Sequence, residues 1–162
     1  MKKVLLLILF LLLSVAANTG ELEAHEFSDF AVKKQYSGKV ATVILATETE
    51  KMFRTRLSKT AEKEVNFAGE YVLTSWGCGS SCTVAAAVSL RTGQVSFMPG
   101  TICCNNSDHR TLDYQSASRL LITTGYINEG GIYGRHYYEI NDNGFVYLKT
   151  EKLIEFSDKN PN

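Results

Sequence analysis

The sequence lacks an apolar run long enough to cross a membrane as a helix. Such a span needs about 20 residues, whereas the longest run, Val4 to Leu13, has ten. The sequence also lacks an excess of charge of either sign, since 17 basic side chains face 17 acidic ones. Nucleic acids and anionic membranes are bound through clustered basic surfaces. We therefore expect no nucleic-acid partner and no stable membrane insertion of the mature chain.

Signatures of catalysis and of metal binding are missing as well. The three histidines, His25, His109 and His136, are not spaced as a metal-binding pair on one element. No serine stands in a Gly-x-Ser-x-Gly elbow, and no Gly-x-x-x-x-Gly-Lys loop is present. The scattered carboxylates offer no recognisable pair for glycoside chemistry. We predict no catalytic residue, no metal site and no cofactor, which leaves open whether the protein is an enzyme.

The N-terminus has the three parts of a secretory signal peptide. Two lysines follow Met1, the apolar run comes next, and Val15-Ala16-Ala17 is a small-residue cleavage site. Removal of residues 1–17 takes two lysines away, so the mature chain has 15 basic and 17 acidic side chains. No cysteine follows the run closely enough to carry a lipid anchor. We predict a secreted or periplasmic bacterial protein.

The remaining chain predicts one mainly β (α+β) domain. We expect a flexible arm over residues 18–29, a globular domain over residues 30–156 and a frayed tail over residues 157–162. Alternating and β-branched segments predict strands at Lys39 to Ala46, Glu70 to Trp76, Thr83 to Leu90, Val95 to Met98, Ser118 to Thr124, Arg135 to Ile140, Phe145 to Lys149 and Lys152 to Phe156. Strands at this spacing favour a single antiparallel sheet or a small sandwich.

One helix is predicted from about Glu48 to Glu64. Thr47 and Glu50 have the spacing of a capping box, and Phe53 and Leu57 begin an apolar stripe with the four-residue spacing of a helix face. Phe53, Thr55 and Leu57 also alternate as a strand would, which is the competing interpretation. The charged remainder, Lys51, Arg54, Lys59, Glu62 and Lys63, is interpreted as a solvated face.

All four cysteines lie between Trp76 and Cys104, and an even count in an exported chain predicts disulfides. A hairpin about Thr92-Gly93 would place Leu90 opposite Val95, Val88 opposite Phe97 and Cys82 opposite Cys103. We therefore expect Cys82–Cys103 and Cys78–Cys104 bonds. The alternative is Cys78–Cys82 with Cys103–Cys104, which closes a strained small ring. A bulge at Pro99-Gly100 would shift the register. The Cys-x-x-x-Cys spacing disfavours redox catalysis, and the oxidising compartment disfavours a four-thiolate zinc site.

Aromatic and polar residues mark a candidate binding surface, which comprises Trp76, Tyr71, Asn66, Arg135 and Tyr137. Tyr, Trp and Arg are common in protein-binding hot spots, although such residues also cap sheet edges and fill cores. The first hypothesis is a non-enzymatic binding or inhibitory protein whose partner is another envelope or extracellular protein. The second is an enzyme with a site around the Trp76–Cys82 loop, and the third is a structural envelope component.

Several motifs together resemble an uncharacterised family of small secreted bacterial proteins. They are Asn66-Phe67-Ala68-Gly69-x-Tyr71, Trp76-Gly77-Cys78-Gly79-x-x-Cys82, Thr92-Gly93-x-Val95, Cys103-Cys104 and Ser118-Arg119-Leu120-Leu121. The resemblance covers roughly Phe53 to Tyr138. A histidine often precedes the motif tyrosine in that family, whereas this chain has Glu70. The resemblance implies a periplasmic or extracellular bacterial setting and supplies no mechanism.

Overall fold

The fold is one antiparallel sheet of eight strands with two short α-helices packed on one face. A computed structural model describes residues 25–154. The strands are β1 (Tyr71–Gly79), β2 (Cys82–Ser89), β3 (Val95–Phe97), β4 (Ile102–Cys103), β5 (Leu112–Tyr114), β6 (Leu120–Ile127), β7 (Gly130–Asn141) and β8 (Gly144–Lys152). The helices are α1 (Glu48–Met52) and α2 (Arg54–Ala61), preceded by a 3-10 helix at Phe27–Phe30. The mainly β class is therefore confirmed, as a single sheet.

Several predicted segments lie outside the described residues. They are the signal peptide over residues 1–17, residues 18–24 of the arm, residues 155–156 of the domain and the tail over residues 157–162. The domain boundaries stay a prediction. Within the described part of the arm, Phe27 packs beside Leu120, Ile122 and Tyr137, and its carbonyl accepts a hydrogen bond from the Ser118 hydroxyl.

The strands follow the order β1-β2-β4-β6-β7-β8, with β3 also paired to β2 and β5 to β6. All of these pairings are antiparallel. Asn141 and Gly144 face each other where β7 turns into β8. The sheet therefore has two open ends, with β1 at one and β8 at the other.

Alternation of side chains gives the sheet two buried faces. One face carries a core that includes Phe67, Leu73, Ile102 and Leu121. The rings of Phe67, just before β1, and Phe145, on β8, stack with centroids 6.1 Å apart, so the sheet curls until its ends approach. The other face is covered by helix α2 near β1 and β2, and by the 3-10 helix near β6 and β7.

The predicted helix from Glu48 to Glu64 is two helices with a break at Phe53. The capping box is present, because the Thr47 hydroxyl accepts from the Glu50 N–H and the Glu50 carboxylate accepts from the Thr47 N–H at 2.8 Å. Phe53 has a ψ of 14°, which is not helical, and its ring packs against Trp76. The helix propensities of these residues do not indicate the break, which coincides with the packing of the Phe53 ring against Trp76.

The predicted strand from Lys39 to Ala46 is wrong. It belongs to an extended segment, residues 31–46, called here the N-terminal strap, which crosses the domain without joining the sheet as a strand. The Ala41 N–H donates to the Leu90 carbonyl and the Ile44 N–H to the Gly93 carbonyl. Val40 and Ile44 are exposed. Two isolated hydrogen bonds do not make a ladder, although β-branched composition alone favours a strand.

The other strands occur close to where they are predicted, with three differences. The first is that β4 and β5 lie in segments for which the sequence predicts no strand. Strand β6 continues past Gly125 through a bulge. In place of a separate strand from Lys152 to Phe156, β8 itself extends to Lys152, and residues 153–154 are not in a strand.

Candidate functional site

The turn from Asn66 to Tyr71 closes the first part of the open edge of β1. Phe67 and Tyr71 exchange backbone hydrogen bonds across it, and Phe67 is fully buried. Ala68 and Gly69 both have positive φ, at 48° and 76°. Glycine adopts this conformation with little steric strain because it has no Cβ. A Cβ on Gly69 would approach the Val32 side chain at 2.9 Å. The motif is therefore explained by a tight turn beneath the N-terminal strap.

Asn66 extends this closure by two residues. Its Nδ2 donates to the Leu73 carbonyl at 3.0 Å, and its Oδ1 accepts from the Leu73 N–H at 2.7 Å. The side chain thus mimics a neighbouring strand at one position. Asn66 is half-buried, and both the nitrogen and the oxygen of its amide are bonded to the Leu73 backbone.

Beyond Leu73 the edge of β1 is open. Residues of an antiparallel strand alternate between those bonded to the partner strand and those directed away from it. Tyr71 and Leu73 bond away from β2, so Ser75 and Gly77 direct their N–H and C=O groups to the same free side. Within residues 25–154 these groups have no backbone partner beyond the sheet itself. Ser75 and Gly77 are both exposed, so this stretch is accessible.

A groove of about 590 Å³ runs beside this open edge, between helix α2 and β1. Its wall carries Thr74 and Ser75 from the strand and Arg56, Lys59 and Lys63 from the helical side, with no acidic side chain. None of the three cations forms an ion pair with any part of the chain that the structure describes. We call these features the β1 edge groove.

Trp76 does not line the β1 edge groove but lies next to it, beneath Arg56. It is half-buried, with ring centroids 4.9 Å from Phe53 and 6.0 Å from Phe97. The Arg56 guanidinium lies 5.1 Å from the centre of the indole, within the range of a cation–π contact. The indole therefore belongs to the core under the helices and positions one of the groove's cations.

Arg135 and Tyr137 do not join this surface. They are on β7, with β2, β4 and β6 standing between them and β1. Tyr137 is only 2 % exposed, and its hydroxyl donates to Glu151 at 2.8 Å. Burial and this hydrogen bond raise the pKa of Tyr137 to about 12. The Arg135 guanidinium lies over the same ring, 5.5 Å from its centre, so both side chains are engaged within the domain.

The disulfides pair Cys78 with Cys82 and Cys103 with Cys104, which corrects the expected Cys82–Cys103 and Cys78–Cys104 bonds. The expected neighbours are nevertheless right, because Cys82 and Cys103 are register partners of β2 and β4. The Cα atoms of Cys78 and Cys82 are 5.1 Å apart across the β1–β2 turn, within the usual span of a disulfide. With Cys82 engaged there, Cys103 has Cys104 as its remaining partner. No free thiol is left.

The hairpin register differs from the expected one near the turn. Val88 faces Val95 and Ala86 faces Phe97, so these pairs are displaced by two residues from the predicted Val88–Phe97 pairing. The register recovers before β4, where Thr83 faces Ile102. The irregular stretch contains Pro99-Gly100, the position at which a bulge would shift the register of the predicted hairpin.

The described residues offer no cluster for a metal ion. Nowhere in residues 25–154 do three His, Cys, Asp or Glu side chains come together in that way. His136 is buried, with Nε2 at 2.9 Å from the Gly125 carbonyl and Nδ1 at 2.7 Å from the Thr150 hydroxyl. Its Nε2 therefore donates to a carbonyl, and the ring ties β7 to its two neighbouring strands.

Sequence reasoning missed the cations of the groove. The sequence pattern places Lys59 and Lys63 on a solvated face and gives no separate role to Arg56. Residues three and four apart lie on one face of a helix, so the spacing of 56, 59 and 63 was the signal that one helical side is cationic. What the spacing could not show is that this side borders an unpaired strand edge.

Comparison with protein-family models, with curated proteins and with solved structures gives no match for this chain. The resemblance to small secreted bacterial proteins therefore stays a prediction. Among residues 25–154, no helix combines the length and the apolar character that crossing a bilayer requires.

Proposed function

We propose that this is an exported, non-enzymatic binding or inhibitory protein that takes an extended acidic segment of another envelope or extracellular protein along the β1 edge groove. The observation that carries the proposal is the open edge at Ser75 and Gly77 beside Arg56, Lys59 and Lys63. An extended peptide adds to such an edge through main-chain hydrogen bonds. The cations then select acidic side chains on the added strand.

Charge and shape both favour this partner. Three cations without an acidic neighbour in the groove gain Coulomb energy from an anionic ligand, and such fields also speed association. The two ends of the open stretch are fixed, by Asn66 on one side and by the Cys78–Cys82 bond on the other. A fixed edge loses little conformational entropy when a strand is added.

The binding test uses a synthetic peptide of alternating valine and glutamate, blocked at both ends. Trp76 is the only tryptophan of the chain and lies beside the groove, so its fluorescence reports occupancy. We expect saturable binding that weakens with salt. The Lys63→Glu variant should bind about tenfold more weakly, whereas Arg110→Glu, which reverses an exposed charge between β4 and β5, should bind as the parent does.

Two further peptides separate the parts of the proposal. A valine–lysine peptide should fail to bind, because the cations repel it. A valine–glutamate peptide with N-methylated backbone amides should also fail, because it cannot form the main-chain bonds of an added strand. Equal binding of the methylated peptide would rule out addition to the edge, and equal binding by Lys63→Glu would rule out the groove.

Export rests on the predicted signal peptide and is compatible with the two disulfides, which persist in oxidising compartments. The test is expression of the full chain in a bacterium followed by N-terminal sequencing of the periplasmic and secreted protein. We expect the mature chain to begin at Asn18. Accumulation in the cytoplasm with Met1 to Ala17 retained would contradict export.

A further inference from the structure

A second cleft, of about 500 Å³, lies between the N-terminal strap and the turn that joins β7 to β8. Tyr36 and its neighbours in the strap form one wall, and Asn141 and Asp142 form the other. The wall is fixed in place, because the Tyr36 N–H donates to the Gly69 carbonyl at 2.6 Å and the Tyr36 hydroxyl to the Lys39 carbonyl at 2.9 Å.

Tyr71 contributes a polar group to this cleft that nothing in the domain uses. The residue is only 8 % exposed, and its hydroxyl has no hydrogen-bond partner within residues 25–154. The hydroxyl is not among the fully enclosed, unpartnered polar atoms of the described residues, so it is open to the cleft. Burial, with the nearby Glu70 and Asp142 carboxylates, raises the pKa of Tyr71 to about 12. The hydroxyl is therefore protonated at neutral pH and can donate a hydrogen bond to a ligand.

The charges along the cleft cancel. Its lining has two cations, Lys34 and Arg119, and two anions, Glu70 and Asp142. The Glu70 carboxylate accepts hydrogen bonds from the Ser89 hydroxyl at 2.8 Å and from the Arg91 guanidinium at 2.7 Å. Arg119 donates to Glu139 at 2.8 Å. A charged ligand would gain no net attraction here, whereas a neutral ligand that both donates and accepts would match the mixed lining.

We propose that this cleft binds a neutral saccharide of one or two rings. Sugar hydroxyls both donate and accept, so one can accept from Tyr71 while others donate to Asp142 and Glu70. The partly buried Tyr36 supplies an apolar face for the ring carbons. The cleft also has the size usual for small-molecule sites, about 300–1,000 Å³. This binding does not depend on a peptide at the β1 edge groove.

The probes are glucose, N-acetylglucosamine and cellobiose, compared with their charged analogues glucuronic acid and glucosamine. Binding is followed by titration calorimetry and by NMR shifts of the full mature chain. We expect at least one neutral probe to saturate and the charged analogues to bind more weakly. Tyr71→Phe removes only the hydroxyl, so it should weaken binding about tenfold without lowering stability in a urea titration.

Tyr138→Phe is the matched control. Tyr138 is also nearly buried and its hydroxyl has no bond within the described residues, but it does not line the cleft. This variant should bind as the parent does. Asp142→Asn leaves the lining with one net positive charge, so it should shift the preference from glucose towards glucuronic acid while the exposed turn stays folded.

Three results would overturn the proposal. The first is that no neutral saccharide saturates the parent protein, and the second is that a charged analogue binds more tightly than its neutral counterpart. The third is equal binding by the parent and a folded Tyr71→Phe. If Tyr71→Phe does not fold, Asp142→Asn provides the third test. An unchanged preference for glucose over glucuronic acid in that variant would then reject the proposal.

Discussion

Replacing Asn66 with alanine removes both side-chain bonds that close the edge of β1 at Leu73. Each hydrogen bond of this kind contributes about 0.5–1.5 kcal/mol net, and a buried group left without a partner costs about 1–3 kcal/mol. Leu73 is 3 % exposed, so water can replace the lost amide only in part. We therefore expect Asn66→Ala to lower the free energy of unfolding by about 2–3 kcal/mol.

Urea unfolding of the oxidised protein measures this loss, with Trp76 fluorescence as the signal. A fall in the transition midpoint at unchanged slope reports a change in stability alone. The control is Asn106→Ala, because Asn106 is exposed and its side chain forms no hydrogen bond within residues 25–154, while its backbone N–H donates to the Tyr133 hydroxyl. A substitution at such a site should stay within about 0.5 kcal/mol of the parent.

The Asn66→Asp variant separates the two bonds. An aspartate keeps an acceptor for the Leu73 N–H but places a second acceptor against the Leu73 carbonyl. We expect it to be clearly less stable than the parent at neutral pH. The reasoning is refuted if Asn66→Ala loses less than the Asn106→Ala control, or if Asn66→Asp unfolds at the parent's midpoint.

Three other consequences can be measured. Trypsin cleavage at Arg91 of the unreduced protein should release separate peptides, because no bond joins Cys82 to Cys103; a linked pair in the mass spectrum would contradict this connectivity. Gly93→Ala should cost more than about 1 kcal/mol, since φ is 79° and the new Cβ would collide with a carbonyl of the N-terminal strap, and melting curves would show it. The pKa of Tyr137 is raised from 10.0 to about 12, so the folded state holds its proton more tightly; this stability is complete below pH 10 and is lost as pH rises towards 12. Alkaline unfolding should be less steep in Tyr137→Phe.

The sheet could be predicted from the sequence because most of its strands carry their own signal. Alternation in the segments of β1 and β2 and the Asn-Gly turn before β8 are local features, and local features determined these elements. Strands β4 and β5 are two and three residues long, too short for a period to be visible. The N-terminal strap has the composition of a strand, but tertiary contacts with the segments that it crosses determine its position.

The binding surface could be predicted only in part, for the same reason. Trp76, Tyr71 and Asn66 all lie on or beside β1, as proximity in sequence implies. Arg135 and Tyr137 are distant from β1 because three strands lie between them in the sheet. The local sequence does not indicate this separation, because it depends on the order of the strands. The predicted cysteine pairing was wrong for a similar reason. The expected neighbours across the strands were right, but the choice of bond depended on how close the β1–β2 turn brings Cys78 to Cys82.

The two strongest motifs of the sequence turn out to flank one short stretch of β1. On one side the Asn66 amide occupies the edge at Leu73, and on the other the Cys78–Cys82 bond fastens the turn into β2. Open strand edges invite unwanted pairing, and proteins commonly close them or place charges beside them. Here one neighbouring position is closed by Asn66, the other end is the disulfide-fastened turn, and the interval at Ser75 and Gly77 is open with three cations beside it. Because such cations repel cationic strands and attract acidic ones, we expect the arrangement that protects the edge also to select the acidic strand proposed above.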